Sequence, residues 1–137
     1  MSNKAFIEGL RYLEQDWNFG EGEMISNNVI NRALKIYHFW NDDESLEVFP
    51  DVNGIICLSM CNNNCFLDIE VFENTYYLTF EIGVGENFSS YELGSCTTFE
   101  CVKDRIKWFR DIYKNAYLIN WEKFPYNSKD LLSTFKN

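Results

Sequence analysis

Five cysteines, one histidine and several carboxylates at alternating positions are the residues of this chain with the means to do chemistry. Cys57, Cys61, Cys65, Cys96 and Cys101 supply enough thiolates for a tetrahedral zinc site, which needs four ligands. Their spacings argue against one. Three or four residues intervene where zinc knuckles favour two, and Cys57 and Cys65 fall inside strand-like runs. Small free thiols, buried or partly buried, are the favoured reading, with no disulfide framework, no metal and no cofactor. His38 stands beside Tyr37, Phe39 and Trp40 near the end of a helix-like run, where a cation is favoured, and no nucleophile is placed against it. Asp68 and Glu70 share one strand face, which alone does not make a general acid and a general base. Gly83-Val84-Gly85 follows a strand-like run, yet no third glycine comes at the dinucleotide-binding spacing. The residues make no positive case for an enzyme.

The elements that must position these groups are legible from periodicity. Phe6, Leu10, Leu13 and Trp17 recur at helical spacing, predicting a first helix over 3–15 with those side chains on one face. Gly20 and Gly22 interrupt the pattern, and Ser26 is placed to cap a second helix over 26–40 whose buried side is Val29, Ile30, Ala33, Leu34 and Tyr37. From Leu46 the period becomes two. Residues 46–50 read as an edge strand because Pro50 has no N–H to donate. Asn53-Gly54 and Glu73-Asn74 read as turns, and the alternation over 56–61, 65–72 and 76–82 completes an antiparallel meander of three or four strands. Residues 83–96, with three glycines, read as loop. Thr97 and Glu100 have capping-box spacing at the start of a long amphipathic helix lined by Val102, Ile106, Phe109 and Tyr113. Residues 120–126 form an aromatic connector, and Ser128 is placed to cap a short last helix carrying Leu131, Leu132 and Phe135. The expected fold is α+β: one domain over 1–137, with a helical hairpin (1–45), a meander (46–82), a loop and a C-terminal helical segment (97–137).

Composition and charge narrow the function. With 46% hydrophobic residues in 137, the chain has the apolar content for its own core. The sequence has no membrane-length apolar run and no signal-peptide pattern, so a cytoplasmic protein is expected. Residues 1–100 hold 17 carboxylates against 4 Lys and Arg, whereas 101–137 hold 4 against 8. Such an acidic body disfavours direct nucleic-acid binding and steers basic partners toward it. One sheet face should present Cys57, Ser59, Asp68, Glu70, Tyr77, Thr79 and Glu81, with Phe66 and Phe72 toward the strand ends. Either that face is simply solvated, or Asp68, Glu70, Tyr77, Glu81, Phe66 and Phe72 bind a partner. Lys103, Lys107, Arg110 and Lys114 form a basic stripe on the long helix, read as a solvated face or a contact to an acidic surface.

One resemblance spans roughly residues 13–81. Trp17-Asn18-x-Gly-x-Gly-x-x-Ile25-Ser26, Phe49-Pro50-x-x-Asn53-Gly54-x-Ile56-x-Leu58 and Leu67-Asp68-Ile69-Glu70-Val71 are similar to motifs of a family of small proteins from bacteria, phages and mobile elements. The resemblance implies a shared fold and a mobile-element setting, with no catalytic residues to carry over. Asn18 stands where that family has aspartate, Met24 where it has proline, and Met60 where it has tryptophan. The expected function is a non-enzymatic acidic binding protein, an inhibitor or accessory of a nucleic-acid-handling protein in the manner of phage anti-defence proteins and antitoxins. The competing expectation is a small-molecule or nucleotide-binding protein, or an enzyme, using the glycines of 83–94 or a pocket under Trp17.

Overall fold

The alternation from Leu46 onward builds an antiparallel sheet whose buried residues face one way, and the helices cover that face. In the computed structural model the described residues are 2–62, 64–84 and 87–114; the side chains of 84, 87–89 and 112–114 are outside the description. The fold is α+β.

Helix α1 (Asn3–Gly9) starts where Ser2 Oγ accepts the Ala5 N–H at 3.1 Å. It stops at Gly9, well short of the expected residue 15, and tightens into a 3-10 turn, Leu10–Tyr12. Glycine disfavours helix by about 1 kcal/mol relative to alanine, which is reason enough for the helical spacing to outrun the helix. Trp17 therefore lies in the segment after the helix. Helix α2 (Asn27–Trp40) begins at Ser26, whose Oγ accepts from Val29 N at 3.2 Å, and ends on Asn41 in the left-handed region. Its buried stripe is Val29, Ile30, Ala33, Ile36 and Trp40; Leu34 and Tyr37, expected inside, are only half-buried.

Strands β1 (Leu46–Pro50), β2 (Ile56–Asn62), β3 (Cys65–Val71), β4 (Tyr76–Val84) and β5 (Asn87–Cys96) follow one another in sheet order, every pair antiparallel. Pro50 sits on the edge strand, as its missing donor requires. The fifth strand corrects the expected loop over 83–96. Glycines and serines mask its alternation, yet Tyr91 and Leu93 are buried, and a register irregularity at Leu78/Thr79 lets Leu93 bulge beside Gly94. Helix α3 (Phe99–Lys114) is capped by Thr98 rather than Thr97: Cys101 N donates to Thr98 Oγ1 at 3.2 Å, and Glu100 pairs with Lys103 instead.

Phe80 occupies the centre of the core. Its ring meets Trp108 edge-on at 5.1 Å and Phe109 at 6.0 Å, and Phe109 in turn lies 5.9 Å from Trp40. Arg110 ties α3 to the end of α2: its guanidinium donates to Phe39 O at 2.9 Å and to Trp40 O, and stacks 4.7 Å from the Trp40 ring. The expected aromatic connector and last short helix lie outside the described residues. Phe80→Ala should lower unfolding free energy in urea by about 3–5 kcal/mol, the usual cost of emptying an aromatic site in a core.

Candidate functional site

Every strand residue that does not face the helices belongs to the opposite sheet face. Glu47 lies opposite Ser59, Ser59 opposite Asp68, and Asp68 opposite Thr79, which in turn pairs with Glu92. The neighbouring rows are Cys57, Glu70, Tyr77 and Ser95, and Cys61, Phe66, Glu81 and Ser90. The structure thus brings Asp68, Glu70, Tyr77, Glu81 and Phe66 together on three adjacent strand positions of β3 and β4, all half-buried. Phe72 lies just beyond β3, at the base of the hairpin, where its N–H donates to Thr75 O at 2.9 Å. Sequence reasoning missed Glu47, Phe49 and Glu92. The first two alternate outward in β1, and Glu92 was hidden with the rest of β5.

The face is electrically one-sided. Residues 36–102 contain no lysine or arginine at all, so no strand carries a cation. Asp68 and Glu81 are diagonal neighbours on β3 and β4. Burial pushes Glu81 up to about 7, helped by the hydrogen bond to Asp68 and by its charge. Tyr77 is raised by burial, then by the charge and hydrogen bond of Glu92 and by Glu70. Beside Glu44, Ser45 and Glu47 the face dips into a cleft of about 360 Å³, lined also by Ser59, Cys61 and Phe66.

The thiols are not poised to act as nucleophiles. Burial, with Glu70, Asp51 and Asp68 behind it, pushes Cys57 up to about 11. Burial, with the neighbouring Cys61, does the same to Cys65, and burial and Glu47 raise Cys61. Cys96 and Cys101 are joined in a disulfide between the end of β5 and the first turn of α3, a correction to the expectation of free thiols throughout. The strand that delivers Cys96 beside the helix start was itself unrecognised. Among the described residues, no group of three or more His, Cys, Asp or Glu side chains could hold a metal ion. His38 is exposed, edge-on to Tyr37 at 5.2 Å.

The basic stripe is divided in its surroundings. Lys103 pairs with Glu100 at 3.2 Å and lies 5.5 Å over the Phe39 ring, Arg110 is committed to the end of α2, and Lys107 is exposed. The Lys114 side chain lies outside the described residues. The glycine stretch is largely strand, and the space beside Trp17 is taken by its own contact with Gly22, where an added Cβ would sit 2.7 Å from the indole nitrogen. No helix among the described residues is long and apolar enough to cross a membrane.

A carboxyl held above its ordinary value stabilises the fold while protonated. That contribution is fully present below the unfolded value of 4.5 and is lost as pH rises through about 7. Urea titrations between pH 5 and 8 should therefore show a fall in stability that Glu81→Gln, neutral throughout, lacks. No protein-family model, curated protein or solved structure matches the chain.

Proposed function

We propose that this is a non-enzymatic binding protein whose uncovered sheet face docks the basic surface of a nucleic-acid-handling protein. The observation that carries the reading is a continuous five-stranded face with carboxylates on four strands, aromatic rings among them and no cation. Glu47, Asp68, Glu70, Glu81 and Glu92 present charge in rows, and the cleft beside Phe66 offers carboxylates and a ring face to a lysine or arginine side chain. Glu81, pushed up to about 7 by burial, gives up its proton when a cation docks beside it. The motifs at Trp17 to Ser26 resemble those of small phage and mobile-element proteins, a setting in which an acidic protein can act by occupying a partner's nucleic-acid groove, so inhibition by occupancy is the form the reading takes.

An arginine-rich peptide serves as the defined probe. Calorimetry should show binding that weakens steeply with salt, and Asp68→Asn, Glu70→Gln, Glu81→Gln together should weaken it about tenfold or more. Removing as much charge elsewhere, with Glu8→Gln, Glu14→Gln and Glu100→Gln, should leave most of the affinity. If both triple variants lose affinity equally, the probe reads net charge and the sheet-face reading fails. Because binding favours ionised Glu81, affinity should rise from pH 6 to pH 8, and Glu81→Gln should flatten that rise.

A further inference from the structure

The ten residues at 17–26 join the first helical segment to α2. They build a small hairpin that holds one phenyl ring in solvent. Asn18 and Glu21 form an antiparallel bridge, with Asn18 N donating to Glu21 O at 2.6 Å and Glu21 N to Asn18 O at 3.0 Å. Phe19 and Gly20 are the two central residues, at φ 53 and φ 90, the pattern of a type I′ turn. Glycine and asparagine suit such positions; a phenylalanine there is a backbone outlier. Its ring offsets nothing among the described residues, where Phe19 is 102% exposed.

The base of the hairpin is rigidly tied. Asp16 N donates to Gly22 O at 2.7 Å, and Trp17 Nε1 donates to Glu23 O at 2.8 Å. Glu23 N donates to Val52 O at 2.8 Å, fixing the device to the β1–β2 turn. Gly22, at φ 114, lies flat against the Trp17 indole, where no side chain fits. A strained residue persists where its surroundings over-determine it, and such sites cluster at ligand contacts and switches. Glu21 flanks the tip and Asp16 and Glu23 stand at the base, all exposed, with no cation from residue 12 to residue 31.

We propose that the 16–23 hairpin is a preorganised aromatic finger that inserts Phe19 into an apolar slot rimmed by lysine or arginine on a partner protein. An exposed ring fixed before binding loses little freedom on docking, and a single anchored aromatic in a desolvated pocket is the usual form of an interface hot spot. The carboxylates that flank the hairpin from tip to base, Glu21, Asp16 and Glu23, with no cation among residues 12–31, specify the cationic rim. The surface is distinct from the sheet face and stands without it.

The photo-crosslinking amino acid p-benzoylphenylalanine at position 19, in the full chain expressed in its source cells, tests this against the same residue at exposed Lys35. The expected result is one protein adduct specific to position 19, with the crosslinked peptide apolar and flanked by lysine or arginine. With that protein purified, Phe19→Asn should weaken binding at least about tenfold, the range of a hot spot. Phe19→Tyr should retain affinity within about threefold, since it keeps the ring. Asn-Gly is the favoured pair for this turn, so the thermal midpoint of Phe19→Asn should equal or exceed that of the wild type. No adduct specific to position 19, an adduct to lipid or nucleic acid, a contact site without an apolar slot, or full affinity in Phe19→Asn overturns the proposal. The sheet-face variants Asp68→Asn, Glu70→Gln and Glu81→Gln, measured against the same protein, report on the docking face independently.

Discussion

Five antiparallel strands send their side chains alternately to two faces, and the helices of the described residues cover one of them. That one-sided cover organises the molecule. It commits Leu58, Leu67, Ile69, Leu78 and Phe80 to a dry interior, and it leaves Asp68, Glu70, Tyr77 and Glu81 on a surface that no helix among the described residues reaches. The helices are in turn held against each other at one point of high chemical specificity, where Arg110 satisfies the last carbonyls of α2 and stacks on Trp40. A guanidinium there does two jobs that a lysine could not do together.

The uncovered face carries electrostatic strain. Rows of carboxylates on strands that carry no cation repel, and burial among them lifts Glu81, Tyr77 and Cys57 toward their neutral forms. A surface of that kind costs some folding free energy near neutral pH and recovers it when a cation arrives. Binding and protonation are then one equilibrium, linked through the Glu81 carboxyl.

The hairpin at residues 16–23 follows a different logic. There the backbone, not the charge, is held away from its preference: Asp16, Phe19, Gly20 and Gly22 all take positive φ within seven residues. Trp17 serves as the wedge that fixes this geometry, bonded to Glu23 and pressed on Gly22, while Phe19 contributes nothing to the interior. The segment that looks from its composition like a connector is the most tightly specified stretch outside the core.

Local signals read well wherever a residue's own chemistry decides the outcome. Ser26 as a cap, Pro50 on an edge, Asn53-Gly54 and Glu73-Asn74 as turns and the phase of β2, β3 and β4 were legible, because capping, missing donors and period-two burial are properties of neighbours in sequence. The same alternation placed Asp68, Glu70, Tyr77, Glu81 and Phe66 on one face before any pairing was known. What tertiary structure alone decided is where long-range pairing overrides local preference. β4 supplied the template that turned the glycine-rich stretch into β5, adding Glu92 to the face and bringing Cys96 to Cys101. Contacts to the sheet rotated the buried stripe of α2 toward Ile36 and Trp40, and the bond from Glu23 to Val52 helped set a phenylalanine at a turn tip that its own backbone preferences would refuse. Backbone pairing and core contacts are shared by residues far apart in the chain, so no local pattern records them.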